Sequence, residues 1–99
     1  MENANSSQRV VQLNTGNNVY WLSDRDEGKK LFDLEIYNKV VNEENVLLVF
    51  SDKIEHISLS YAEGLFEYWI KRREKEWIKK HIHVHPQRLE EEIFIKLRL

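Results

Sequence analysis

Three histidines, His81, His83 and His85, alternate with Ile82 and Val84. Side chains two apart on a strand point the same way, so this spacing can bracket a metal ion as the imidazoles of zinc sites do. Three collinear histidines span about 13 Å at the usual rise per residue, so one ion takes only an adjacent pair. His56, Glu55 or Glu90 would have to supply the next ligand. The plainer reading is a solvated strand face, and a pH-responsive interface is a third use of imidazoles that gain charge near neutrality. A second group is the basic run Lys71-Arg72-Arg73, continued by Lys75, Lys79 and Lys80 with Trp69 and Trp77 alongside, which has the ingredients of a nucleic-acid patch. Glu74 and Glu76 interrupt it. The ordinary alternative is the solvated end of an amphipathic helix, its long charged stems lying on apolar surface, and nucleic acid is not the expected partner. For covalent catalysis the chain has no cysteine and no Gly-x-Ser-x-Gly turn, and Gly16, Gly28 and Gly64 make no phosphate loop. Asp52 and Glu55 pair by proximity alone. No enzymatic activity and no cofactor are expected.

The elements that must position these residues centre on Asn45 to Ile70, the most apolar stretch of the chain. Val46 to Phe50 is a continuous apolar run of strand length, suited to a central strand covered on both faces. Ser60 has the composition of an N-cap, and Glu63 three residues on completes a capping box. Ala62, Leu65, Phe66, Trp69 and Ile70 then recur at helical spacing. Strand, loop and helix form the first half of a βαβ unit, whose second strand is the parallel segment His81 to His85.

This segment resembles the STAS domain, the small α/β module of sulphate transporters and anti-sigma-factor antagonists, and is most similar to the STAS-like family of unknown function. The resemblance is carried by Val49-Phe50-Ser51, Ile57-Ser58 and Ser60-Tyr61-Ala62, and covers about half the chain. It implies a non-enzymatic, regulatory protein–protein interaction module of a prokaryotic cell, whose partner is a kinase-like ATPase anti-sigma factor or another regulator. It also implies a partner surface near Arg25, Asp52, Ser58, Ser60 and Tyr61. In antagonists of this type an aspartate is followed by a phosphorylated serine at the helix start. Aligned here, Ser58 falls on the aspartate and Leu59 on the serine, so Ser60 reads as a cap before it reads as a phosphosite, and Ser58 has only the resemblance behind it.

Along the rest of the chain, residues 1–8 read as a disordered arm and residues 9–99 as a single domain. Arg9 to Leu13 and Val19 to Leu22 flank the turn Asn14-Thr15-Gly16-Asn17-Asn18, which suggests a hairpin or edge pair. After Ser23-Asp24 a helix with the stripe Leu31, Leu34, Tyr37 and Val41, reinforced by Phe32, Ile36 and Val40, runs to Asn42. Trp77-Ile78 fits either a continuing helix or the next strand. Pro86 and Glu90-Glu91-Glu92 favour a C-terminal helix, although Ile93, Ile95, Leu97 and Leu99 equally suit a strand. The expected fold is α/β, with a mixed sheet of about four strands in the order ββαβαβα and helices packed on it.

With 99 residues, 41% of them apolar and 32% charged, the chain can build one core. A net charge of −2 gives no global attraction to nucleic acid or anionic membrane. There is no signal-peptide core or membrane span in the sequence, and the absence of cysteine suits the cytoplasm. Three tryptophans and four tyrosines leave a homodimer open through an aromatic face or an edge strand.

Overall fold

The computed structural model describes residues 8–99. The arm expected over residues 1–8 therefore lies, except for Gln8, outside the described residues. Strand β1 (Arg9–Gln12) is followed by β2 (Trp21–Leu22), and helix α1 (Arg25–Leu31) runs through a π-helical stretch (Phe32–Ile36) into α2 (Tyr37–Val40). Next come β3 (Val46–Val49), β4 (His56–Ile57), α3 (Leu59–Ile70), α4 (Lys75–His81), β5 (Ile82–His85) and α5 (Gln87–Lys96). The strands form two parallel sheets, β1-β3-β5 and β2-β4.

Strand β3 is central, with β5 parallel to it in the register Val46 to Ile82 and Leu48 to Val84. The βαβ expectation therefore holds for the strands it joined. The N-terminal hairpin does not form. Strand β1 pairs with β3 and β2 pairs with β4, both parallel, so a single mixed sheet of four strands gives way to two sheets. The reason is burial. Pairing with β3 puts Val11 into the core beside Val46 and Leu48, which a two-stranded ribbon on the surface could not do. The turn Asn14 to Asn18 keeps its chemistry, with Gly16 at φ +98° and Asn18 at φ +60°, but it leads the chain across to the second sheet rather than back along the first.

The rod from α1 to α2 begins where expected, on Asp24, whose carboxylate accepts the Asp26 amide at 3.1 Å. Its buried face differs from the expected stripe. Leu31, Phe32, Ile36 and Val40 are buried, while Leu34, Tyr37 and Val41 are exposed. The π-helical turn inserts an extra residue, which rotates the residues beyond it relative to a regular α-helix. Helix α3 opens two residues earlier than expected. Ser58, not Ser60, is the N-cap, and its hydroxyl accepts the Tyr61 amide at 3.0 Å. Glu63, freed from a capping box, binds Arg25 instead.

Trp77 and Ile78 belong to neither neighbouring element, since α3 ends at Ile70 and α4 is a separate helix that runs through His81. Strand β5 starts one residue later than expected, with Ile82 and Val84 buried and His83 and His85 turned outward. The C-terminal segment is helical, with Leu89 and Ile93 in the core and Pro86 as the N-cap. Every buried side chain among the described residues is apolar or aromatic. Among these residues no helix is long and apolar enough to cross a membrane.

Candidate functional site

Helices α1 and α3 follow directly on the paired strands β2 and β4, so their first turns lie side by side. Ser58 fastens the junction, its amide donating to the Leu22 carbonyl at 2.7 Å. Two glycines let the rods touch backbone to backbone. A Cβ on Gly28 would run into the Tyr61 carbonyl oxygen, and one on Gly64 into the Arg25 carbonyl oxygen. Ion pairs advance together along the contact, with Arg25 on Glu63 at 2.7 Å and Lys29 on Glu67 at 3.7 Å, so the helices run in the same direction.

Beside this junction the chain from Asn14 to Asp24, helix α1 with the π-helical stretch, and Tyr61 of α3 line a cleft of about 360 Å³, within the size range of small-ligand sites. Its apolar surface comes from Val19, Trp21, Leu22, Leu31, Leu34 and Tyr61. Its charged groups are Asp24, Glu27, Glu35 and Lys30. One wall is tied down, because Glu35 accepts the Asn14 amide at 2.9 Å and Asn14 in turn accepts the Gly16 amide at 2.9 Å. Trp21 is 64% exposed and its ring lies 4.6 Å from that of His56, while Leu34 is 73% exposed. Tyr61 is only 4% exposed. Burial, and then the carboxylates of Glu27 and Glu35, push its phenol up to about 12, so it is a neutral hydroxyl at physiological pH.

Of the residues singled out in the sequence, Tyr61 lines the cleft, and Ser58 and Arg25 secure the helix pair that carries it. Ser60 is exposed on the first turn of α3 and makes no cap. Asp52 keeps other company. Its carboxylate is 3.2 Å from His85 and its carbonyl accepts from Arg88 at 2.7 Å, beyond the C-terminal ends of β3 and β5.

The three histidines are engaged separately. His81 Nδ1 lies 2.9 Å from Asn45, His83 Nδ1 3.2 Å from Glu90, and His85 Nε2 3.2 Å from Asp52. His81 also sits on α4 rather than on the strand, and its ring packs 4.5 Å from Trp77. Among the described residues no three His, Cys, Asp or Glu side chains converge as metal ligands. In the basic segment, Arg72 covers the ring of Tyr68 at 4.1 Å and Arg73 that of Trp77 at 4.3 Å, so these aromatic faces already hold cations of the chain itself.

Comparisons with protein-family models, with curated proteins and with solved structures gave no match for this chain. Its own geometry therefore carries the functional reading. Trp21, Glu27, Leu34 and Glu35 are the cleft residues that sequence reasoning passed over. Leu34 left a trace there, as an apolar residue whose place in the stripe depended on unbroken α-helical phase.

Proposed function

We infer that this chain is a non-enzymatic interaction module of the STAS-like regulatory kind, cytoplasmic, which docks a partner protein over the junction of β2, α1 and α3. The observation that carries this reading is the exposure of Trp21 and Leu34 at the cleft between them. A large exposed tryptophan beside a partly apolar hollow is what an interface needs for an anchor contact, since a few such residues supply most of the binding energy. Tyr61, Ser58 and Arg25 belong to this face in the resemblance as well, as does Ser60 at the start of α3. The partner implied by the resemblance is an ATPase of the anti-sigma-factor type.

The test is retention of a binding partner on immobilised wild-type chain against Trp21→Ala and Leu34→Ser variants, with the retained protein then purified and titrated. Loss of affinity by about ten-fold or more in both variants is expected. Ser58→Asp and Ser60→Asp are informative companions, because aspartate is also a good N-cap and the first keeps α3 started. A partner that binds all four variants as it binds the wild type would remove this face from the account.

A further inference from the structure

The charge and the buried hydroxyl of the cleft define a ligand more narrowly than docking alone requires. Three of its side chains are carboxylates and one is an ammonium, so the hollow favours a positive visitor. Asp24 and Glu35 each spend an oxygen on a backbone amide, of Asp26 and Asn14, and a carboxylate has further lone pairs to offer. The second observation is Tyr61. It is almost fully buried, it lines the cleft, and its hydroxyl has no hydrogen-bond partner among the described residues. A ligand with a polar hydrogen would find an acceptor in this hydroxyl.

We propose that the cleft is a binding site for an organic cation, an ammonium or guanidinium group carried on an apolar body. The cation lies between Glu27 and Glu35 and donates to the Tyr61 hydroxyl, while the body rests on Val19, Trp21 and Leu34. A free amine and a lysine or arginine side chain of a docked protein share this chemistry. The proposal deepens the docking reading but does not depend on it, since a free amine would occupy the cleft with no partner present.

The test is a nuclear magnetic resonance titration of the full chain with phenethylammonium and with 2-phenylethanol, which has the same body and no charge. The expected result is saturable shifts of the Trp21 indole and of amides around Glu27 and Leu34, with the alcohol bound at least ten-fold more weakly. The double variant Glu27→Gln/Glu35→Gln keeps the shape and the acceptor for Asn14, and should bind the two probes alike. Tyr61→Phe keeps the ring and should weaken the ammonium by about three- to ten-fold. Equal affinity for the two probes in the wild type, or no shift at the cleft with either, overturns the proposal. A capped lysinamide bound more tightly than phenethylammonium would assign the cation to a protein partner, and the reverse order would assign it to a free amine. Failure of the cation titration leaves the Trp21→Ala docking experiment standing as a separate question.

Discussion

Ser58 holds two elements at once. Its hydroxyl accepts the Tyr61 amide and its own amide reaches back to Leu22, so one residue starts α3 and ties it to β2. Ser60, two positions on, does neither. Ser58→Ala should therefore destabilise the chain by about 1 kcal/mol, the usual loss for an N-cap. Ser60→Ala should stay within about 0.5 kcal/mol of the wild type, as exposed substitutions away from special features do. Urea unfolding of the two variants checks the contrast. The same two serines show how a local pattern misleads. Ser60 and Glu63 have the spacing of a capping box, but Arg25 on a neighbouring helix takes the Glu63 carboxylate, and a pairing from outside the segment cannot be read within it.

At the scale of elements, the contact between α1 and α3 turns on Gly28 and Gly64. Intrinsic propensity alone would make alanine better than glycine inside a helix by about 1 kcal/mol. Here the added carbon at either site has the facing backbone in its way. The added carbon at position 28 would also lie 3.1 Å from the Leu65 nitrogen, and that at position 64 would lie 3.0 Å from the Lys29 nitrogen. Gly28→Ala and Gly64→Ala should each destabilise by about 1–3 kcal/mol as the helices are forced apart. The double variant should cost less than the sum, because one separation relieves both clashes. Thermal unfolding of the three variants measures this, and a stabilised single variant would contradict the close approach. The π-helical turn is the other device of this kind. It sends Ile36 and Val40 into the core and leaves Leu34 at the cleft.

For the whole molecule, acid is the condition that bears on its electrostatics. The Lys71 ammonium bonded to Glu67, with Lys29 and Arg25 also in reach, holds that carboxyl below its ordinary value of 4.5. Glu92 is pushed up by burial, but the hydrogen bond and charge of Lys96, a backbone hydrogen bond at Ile57 and the charge of His56 together leave it below 4.5 as well. A carboxyl whose folded value lies below its unfolded value adds stability above the unfolded value, and that stability disappears as the pH falls through the folded one. Stability should thus decline as the pH drops below about 4.5, and Glu92→Gln should lose stability at pH 7 while flattening that decline. Urea unfolding at pH 7 and pH 3 gives the comparison. Lys96 also donates to the Ile57 carbonyl at 2.6 Å, so this group pins α5 to the strand that feeds α3.

The apolar run at Val46, the helix start near Asp24 and the helical spacing from Ala62 to Ile70 are local properties of the chain. They sufficed to foresee the central strand, its parallel partner β5 and the main helices, because alternation and period are written in consecutive residues. Pairing between distant strands follows no such local rule. Whether Val11 finds Val46 or turns back on Trp21 depends on which contact buries more, and only the assembled core decides it. The cleft has the same origin: Trp21, Glu27, Leu34 and Tyr61 have no common spacing, and they meet because a π-helical turn shifts one face and two glycines let two helices touch.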